Sequence, residues 1–244
     1  MKKFLALILS VLALSSMLLL PVAASDSNTS ANANCPFDIN EFCNSAKLVS
    51  ATDDIVIFEK TSNISSTTVN GELVDSQTTS SLGIVPTSEQ EKATLSQLVA
   101  KRSTPTRAAI SDDDWDKSGQ VKIYATVTYS KTKKNNGDVF VKITKVSGGI
   151  TAPGSGASVG SGVSVTSNKC LVAMFGKDES STKRDYKKTF TYDTGKRSWS
   201  SSTPSSWKPV LKCPASMAGC TYTVTLKRNT SWSVELPINI CGNS

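Results

Sequence analysis

A regular alternation of apolar and polar side chains over residues 121–129 constrains the fold of this chain more than any other feature of its sequence. An alternation with a period of two places every second side chain on the same face, which is typical of a half-buried β-strand. A second alternating segment begins at Val139, after Asn135-Asn136-Gly137-Asp138. Because Asn-Gly accepts positive φ angles, this tetrapeptide favours a tight turn. The two segments therefore predict an antiparallel β-hairpin.

Short strand-like segments continue to the C-terminus, and stretches rich in Gly, Asn and Ser separate them. The β-α-β rhythm of a parallel sheet is absent from the sequence. Many short strands with turn sequences between them are typical of an antiparallel sandwich. We therefore predict a mainly β fold, an antiparallel, immunoglobulin-like β-sandwich, over residues 108–244. Its eight predicted strands are 121–129, 139–143, 163–166, 170–175, 187–192, 207–212, 222–227 and 233–240.

Residues 25–107 differ from the rest of the chain in charge and in pattern. They contain ten acidic and six basic residues, whereas residues 108–244 contain ten acidic and nineteen basic residues. We predict a short, partly irregular acidic region with one helix, joined to the basic β-sandwich domain by an exposed linker over residues 101–107. A protease can reach such a linker, so residues 25–107 are a candidate pro-segment. The predicted helix covers residues 89–101, follows a capping-box sequence at Thr87 and Ser88, and has Leu95, Leu98 and Val99 on one face.

The N-terminus has the composition of a secretory signal peptide. Lys2 and Lys3 precede a Leu-rich apolar stretch over residues 4–20, and Val22-Ala23-Ala24 supplies small residues before a cleavage site at Ser25. Residues 237–244 contain neither an apolar tail nor a basic stop signal. We therefore expect residues 1–24 to be removed as a signal peptide and the mature protein to be secreted, with no stable membrane anchor.

Six cysteines follow the predicted cleavage site, and an even number in an exported chain favours up to three disulfides. Fifteen pairings can be drawn, and the sequence does not choose among them. Two bridges that would close short local loops are Cys35–Cys43 and Cys213–Cys220, which leaves Cys170 with Cys241. The chain has no Cys-x-x-Cys pair and no histidine, so these thiols do not predict a zinc site.

The absence of histidine excludes catalytic mechanisms that need an imidazole, and no other catalytic arrangement stands out. Asp112-Asp113-Asp114-Trp115-Asp116 begins like an EF-hand loop, but Lys117 stands where that loop needs glycine. The cluster therefore indicates a solvated acidic linker. The glycines between residues 154 and 162 lack the Lys-Ser/Thr ending of a phosphate-binding loop. We predict no enzymatic activity, no metal and no cofactor.

Two basic segments that contain an aromatic residue are candidates for ligand binding. Tyr186 lies in Lys183-Arg184-Asp185-Tyr186-Lys187-Lys188, where lysines are also typical of a solvated edge strand. Lys196, Arg197 and Trp199 lie in a serine-rich segment, and Trp and Arg are enriched at binding surfaces. The alternative for Trp199 is a side chain folded back onto its own sandwich. Because an exported protein seldom meets nucleic acid, we predict that the ligand is another kind of macromolecule.

Several segments carry a resemblance to known proteins, namely residues 115–124, Val146-Ser147-Gly148-Gly149, residues 222–228 and Ser231-Trp232-Ser233-Val234. Over residues 112–240 the chain resembles a loose group of small exported proteins of Gram-positive bacteria without settled function. The resemblance implies a β-sandwich and a bacterial source. Some exported bacterial proteins of this general plan engage host molecules such as immunoglobulins.

We therefore expect a secreted, non-enzymatic binding protein that recognises a macromolecule of the host or of the cell envelope. A host secreted protein such as an immunoglobulin and a cell-surface polymer are both candidate partners. The alternative is a proteolytically processed toxin or antimicrobial effector, with residues 25–107 as its pro-region.

Overall fold

The computed structural model describes residues 37–52, 54–103, 121–151 and 162–241. The described residues form two helices and eleven strands. The helices are α1 (Ile39–Ser45) and α2 (Glu89–Ser103). The strands are β1 (Lys47–Ala51), β2 (Val56–Val69), β3 (Glu72–Val85), β4 (Val121–Lys133), β5 (Val139–Thr151), β6 (Ser164–Lys177), β7 (Lys183–Thr191), β8 (Ser198–Ser202), β9 (Val210–Leu211), β10 (Met217–Lys227) and β11 (Ser231–Asn239).

The strands form two antiparallel sheets. The first sheet has the order β1-β2-β3-β4-β5-β8, with β9 also paired to β5, and the second has the order β11-β10-β6-β7. The predicted mainly β architecture with antiparallel strands is confirmed, and the two sheets are consistent with a β-sandwich. The immunoglobulin-like arrangement is not confirmed and stays a prediction.

The main core lies between the two sheets and follows the predicted alternation. Val121, Ile123, Ala125 and Val127 of β4 are buried on its first side. Cys170, Val172 and Met174 of β6 and Tyr222, Val224 and Leu226 of β10 are buried on its second side. Each side chain of this size contributes about 1.5–3 kcal/mol by leaving water, so this layer is the main source of stability.

A second core lies on the outer face of the first sheet, beneath the two helices. There Phe58 of β2, Leu82 of β3 and Tyr124 of β4 form a row across the sheet. Ile39 and Phe42 of α1 and Leu95 of α2 pack onto this side. The sequence predicted a polar outer face for β4 at Lys122 and Tyr124, but both are buried. The two helices therefore bury the outer face of this sheet, which would otherwise be exposed to water.

Helix α2 begins where the sequence predicted. The Glu91 carboxylate accepts hydrogen bonds from the backbone N–H (2.6 Å) and the hydroxyl (2.9 Å) of Thr87. The Ser88 hydroxyl in turn accepts from the Glu91 N–H (3.2 Å), which satisfies a donor that a helix start leaves without an intrahelical partner. Leu95 is buried and Val99 is half-buried, as its amphipathic pattern predicted. The helix continues to Ser103, so it includes part of the predicted linker.

The predicted boundary at residues 107/108 does not separate two folded units in the described part of the chain. Strand β3 pairs with β4 along its whole length, from Leu73 opposite Lys133 to Val85 opposite Val121. Residues rich in serine and threonine, within the region predicted to be partly irregular, form the long β2–β3 hairpin, whose turn has positive φ at Asn70 and Gly71. The acidic region therefore supplies three strands of the first sheet. The predicted signal peptide (1–24) and the stretch 104–120, which includes the acidic cluster, lie outside the described residues.

Other elements differ from the predictions in length or type. Helix α1 forms where a compact disulfide loop was expected, because Asp38 caps it by accepting a hydrogen bond from the Glu41 N–H (2.9 Å). The two predicted strands within residues 163–175 are one strand, β6, and the predicted strand 207–212 is reduced to β9. The β4–β5 turn forms as predicted, with Gly137 at φ +90°.

The described cysteines do not form the predicted disulfides. Cys170, Cys213, Cys220 and Cys241 are free thiols. Strand β10 separates Cys170 of β6 from the end of β11, where Cys241 lies, and two strand spacings of about 4.8 Å exceed the reach of a disulfide. Cys220 lies inside β10 and faces the core, away from the turn that contains Cys213. For the third predicted bridge, Cys43 is buried in α1 and Cys35 lies outside the described residues.

Candidate functional site

Trp199, the central residue of the predicted binding segment, lies in the main core. It is 7% exposed and occupies strand β8, where the sequence predicted an exposed loop. Its indole ring stacks on Tyr192 (4.4 Å between ring centroids) and meets Tyr222 edge-on (4.9 Å). The interpretation of Trp199 as an exposed ligand-contacting side chain is therefore wrong, and the alternative of a core tryptophan is correct.

Two glycines of β5 explain why a tryptophan fits beneath this serine-rich strand. Strand β8 pairs with β5 at Gly148 and Gly149. A Cβ atom at Gly148 would lie 2.5 Å from the Trp199 ring, and one at Gly149 would lie 2.1 Å from the Arg197 carbonyl oxygen. Glycine at Gly148 leaves room for the Trp199 indole ring, and glycine at Gly149 allows β8 to pair closely with β5.

The other three predicted binding residues do not form one surface with Trp199. Arg197 is half-buried, burial lowers its pKa, and its carbonyl oxygen accepts a hydrogen bond from the Ile150 N–H (2.8 Å). Tyr186 is half-buried on β7, where its ring stacks on Trp207 (5.2 Å). Lys196 is the exposed member of the four and lies in the turn before β8.

The aromatic cluster around Trp199 is a structural unit. The Tyr192 hydroxyl donates a hydrogen bond to Ser201 Oγ (3.0 Å), and burial raises the pKa of Tyr192 to about 12 against the lowering effect of that bond. Burial also raises the pKa of Tyr222. Neither phenol is therefore ionised near neutral pH, and the cluster contributes packing rather than acid–base chemistry.

A different surface has the character of a binding site: the outer face of the second sheet. Side chains at alternate positions of β6 and β10 point away from the main core, and three large apolar ones are exposed among them. These are Leu171 (42% exposed), Phe175 (41%) and Met217 (42%). Phe175 lies opposite Met217 across the two strands, which places these side chains together at one end of the sheet.

Two small residues make the centre of this surface concave. Ala173 and Gly219 lie opposite each other, between Phe175 and Leu171 on the strand pair. A Cβ atom at Gly219 would lie 2.0 Å from the Ile238 carbonyl oxygen of β11, so no larger residue fits there. The result is a depression of about 250 Å³. We call Leu171, Ala173, Phe175, Met217 and Gly219 the β6–β10 patch.

Charged and hydroxylated side chains surround the β6–β10 patch. Five lysines and two acidic residues lie on the outward positions of the same sheet, and Lys187 pairs with Asp185 at 3.6 Å. Threonines occupy the neighbouring outward positions of β7 and β10. The outward charged residues are Lys169, Lys177, Lys183, Asp185, Lys187, Lys227 and Glu235.

Sequence reasoning missed this patch although one signal was present. Residues 170–175 are apolar at every position, so both faces of this strand carry apolar side chains. An antiparallel sheet with one face in water normally alternates between apolar and polar residues. A continuous apolar stretch within an otherwise alternating sheet therefore indicated a second apolar surface, but not whether another element covers it.

Other kinds of site are not evident in the described ranges. Between residues 37 and 241, with the gaps given above, no group of three or more acidic, cysteine or histidine residues is placed to hold a metal ion. No helix within those ranges combines the length and the apolar character needed to cross a membrane.

Comparison with known proteins identified no relative of this chain. No family model matches the chain, and no match was found among curated proteins or solved structures. The resemblance suggested by the sequence stays a prediction, and the β6–β10 patch has to be interpreted from its own chemistry.

Proposed function

We propose that this chain is a secreted, non-enzymatic binding protein that recognises a host secreted protein through the outer face of its second sheet. The observation that carries the proposal is the β6–β10 patch. Contiguous exposed apolar side chains rimmed by polar ones mark interaction sites on soluble proteins, because water contact with such a surface is unfavourable. Immunoglobulin is the first partner to test, since the sequence resemblance implies that class of ligand.

The geometry of the patch supports recognition of a protein surface. Leu171 and Met217 line a shallow concave floor, which can receive one or two protruding apolar side chains, and the exposed Phe175 lies opposite Met217. Centres of protein interfaces are apolar and rimmed by polar groups, and few residues there supply most of the binding energy. The threonines and lysines around the patch would form such a rim.

The excess of lysines around the β6–β10 patch favours a partner whose surface has carboxylates beside apolar side chains. Lysines outnumber acidic residues five to two on the outward positions of the second sheet. Lys187 already has Asp185 as a partner, whereas Lys169 lies beside threonines on both neighbouring strands. Complementary charge at a rim mainly increases the rate of association and excludes like-charged partners.

The remaining exposed apolar residues make a weaker surface. Val49 lies alone on β1, and Ile64, Val69 and Leu73 lie near the tip of the β2–β3 hairpin, where serine, threonine and asparagine separate them along the strands. Leu73 is 45% exposed, which nearly equals the exposure of Leu171. It therefore offers a matched control for the proposed site.

The test compares Leu171→Ser with Leu73→Ser. Each variant is immobilised and exposed to purified immunoglobulin and to serum, and bound protein is measured by interferometry and mass spectrometry. We expect Leu171→Ser and Phe175→Ser to weaken capture about tenfold or more, as truncation of a central contact does. Leu73→Ser should bind like the unmodified protein, and all three should keep its unfolding temperature within about 2 °C because surface substitutions have small effects.

Equal capture by Leu171→Ser and Leu73→Ser would contradict the proposal. Binding to anionic cell-wall polymers that falls with Lys169→Gln and with added salt, but not with Leu171→Ser, would assign the surface to an envelope polymer instead. Purely electrostatic binding depends on charge and is screened by salt, whereas apolar contact is not.

A further inference from the structure

Two pairs of thiols in the main sandwich are neighbours in a way that the sequence did not predict. Cys170 of β6 lies opposite Tyr222 of β10, and Cys220 lies two residues before Tyr222 on β10. Positions two residues apart on a strand point to the same face, so both thiols face the main core. They are 0% and 4% exposed.

The side chains of Cys170 and Cys220 are in contact. A hydrogen bond with the Cys170 side chain, together with burial, raises the pKa of Cys220 well above its ordinary value. Diagonal neighbours on paired strands have Cα atoms about 7–8 Å apart, just beyond the range that a disulfide spans. Closing a bond between these sulfurs therefore needs the strands to approach by only about 1 Å.

The other two described thiols of this sandwich lie together at one end of β10. Cys213 precedes β10 in a turn closed by a hydrogen bond from the Ser216 N–H to its carbonyl oxygen (2.9 Å). Ile240 donates a backbone hydrogen bond to the carbonyl oxygen of Ala218 (2.8 Å), which holds Cys241 beside the start of β10. Burial and the nearby Cys213 raise the pKa of Cys241 to about 11, against the lowering effect of Lys212.

We propose that Cys170 with Cys220, and Cys213 with Cys241, form the two disulfides of the sandwich when the chain folds with a disulfide oxidant. The bridges would join β6 to β10, and the β9–β10 turn to the end of β11. This inference is independent of the proposed binding function, since Cys170 and Cys220 face the main core whereas the β6–β10 patch lies on the outer face of the same strands.

The chemistry is thiol–disulfide exchange with a small disulfide such as oxidised glutathione. One cysteine thiolate attacks a glutathione sulfur, the glutathione S–S bond breaks, and one glutathione thiolate leaves. The second cysteine thiolate then attacks the protein sulfur of the mixed disulfide and expels the other glutathione thiolate. Each bridge oxidises two cysteines, reduces one oxidised glutathione to two thiols, and transfers the two cysteine protons to them.

The reaction belongs to the folding stage, because the folded protein protects these sulfurs. Attack needs an accessible thiolate. Cys170 and Cys220 are buried, and the raised pKa of Cys220 makes its thiolate scarce. The oxidant must therefore reach the chain before β6 and β10 have packed against the first sheet.

The test maps the bridges in protein refolded from the reduced, unfolded state with reduced and oxidised glutathione. Trypsin followed by cyanogen bromide, without reduction, separates all four cysteines, since Met217 lies between Cys213 and Cys220. We expect peptide 170–174 to be joined to 218–227, and peptide 213–217 to be joined to 229–244. As a variant test, Cys213→Ala should keep the first link and lose only the second.

Several results would overturn the inference. Links between 170–174 and 229–244, or between 213–217 and 218–227, would restore the pairing suggested by sequence spacing. Alkylation of Cys170 and Cys220 in the unfolded but unreduced product would show that neither is oxidised. None of these results depends on Leu171 or Phe175 binding a partner, so a failure here is distinguishable from a failure of the proposed function.

Discussion

The outer faces of the two sheets both carry large apolar side chains, but they differ in what lies over them. On the first sheet, Phe58, Leu82 and Tyr124 are almost completely buried beneath α1 and α2. On the second sheet, Leu171 and Phe175 remain about 40% exposed, and no described element packs over them. The same kind of side chain on the same kind of strand is therefore core in one place and surface in the other.

The cover of the first sheet comes from the acidic N-terminal region, residues 25–107. The two helices that cover the first sheet come from it, as do three strands of that sheet. Removing the region would leave β4 without its partner strand β3 and expose Tyr124 on its outer face, at a cost of about 25 cal/mol for each Å² of apolar surface. The acidic region is therefore part of the folded unit, which disfavours its release as a pro-segment.

The largest expected effect follows from removing that region altogether. A chain that begins at residue 108 lacks β1–β3, so β4 loses the strand to which it pairs along 73–85, and the second core is lost with it. We expect this fragment to lose cooperative unfolding by circular dichroism and to aggregate. A stable, monomeric fragment would show that the uncovered first sheet tolerates water as the second one does.

A control for this prediction cuts the chain without removing anything. Native trypsin treatment that cleaves after Arg107 should leave both pieces together in size-exclusion chromatography, because the β3–β4 pairing holds them. Separation of the pieces without denaturant would support the pro-segment hypothesis instead.

The next effect compares two phenylalanines on the two outer faces. Phe58 is 0% exposed and Phe175 is 41% exposed. We expect Phe58→Ala to lower the free energy of unfolding by about 3–5 kcal/mol, as truncation of a buried aromatic does. Phe175→Ala should lower it by less than about 1 kcal/mol, since its ring already contacts water. Urea denaturation measures both, and equal losses would mean that something covers Phe175 in solution.

Trp199→Ala should act like Phe58→Ala rather than like a surface substitution. The ring is buried against Tyr192 and Tyr222, so its removal leaves a cavity worth about 3–5 kcal/mol of stability. The unfolding temperature should fall by many degrees. A variant that keeps its stability but loses capture of immunoglobulin would return Trp199 to the binding surface.

The smallest effect concerns the turn between β6 and β7, at the edge of the uncovered face. Asp178 accepts hydrogen bonds from the N–H groups of Ser180 (2.9 Å) and Thr182 (3.0 Å) and from Arg184 Nε (2.7 Å). Burial raises the pKa of this carboxyl, but these bonds outweigh burial and lower the pKa to about 2. Because the folded pKa lies below the unfolded value of about 3.9, the contribution of Asp178 to stability is complete above about pH 5 and is lost progressively as the pH falls through the folded pKa of about 2.

Unfolding experiments between pH 5 and pH 2 can isolate this contribution. Asp178→Asn should be less stable than the unmodified protein at pH 5, and the difference should shrink as the pH falls towards 2. Asp185→Asn is the control, since that carboxylate is exposed and makes one long ion pair. A difference for Asp178→Asn that does not change with pH would show that its hydrogen-bond geometry, not its charge, holds the turn.

The fold was predictable where local signals suffice. The alternation in β4 predicted its buried face at Val121 and Ile123, and the capping residues around Thr87 predicted the start of α2, because both patterns act within a few residues. The strands β2 and β3 were missed, since serine and threonine replace the apolar residues that reveal alternation along most of their length. Their regular structure comes from pairing with β4, which is a long-range contact.

The candidate site was less predictable for a related reason. Trp199 lies among serines, and the space for its ring comes from Gly148, which is about fifty residues earlier in the chain. Local composition therefore suggested an exposed tryptophan where tertiary packing buries one. The predicted cysteine pairing was wrong for the same reason. Spacing along the sequence favours pairs of nearby cysteines, whereas the strand order brings Cys170 next to Cys220.

By itself the sequence determined that the chain forms antiparallel strands with one consistently apolar face, since side chains on a strand alternate and apolar ones leave water. It also determined that residues 170–175 have apolar side chains on both faces. Only the tertiary structure decided that one face of this strand enters the core while Leu171 and Phe175 stay exposed. Whether an apolar face is covered depends on elements distant in sequence, and the two helices of this chain lie on the first sheet, so the second has no cover among the described residues.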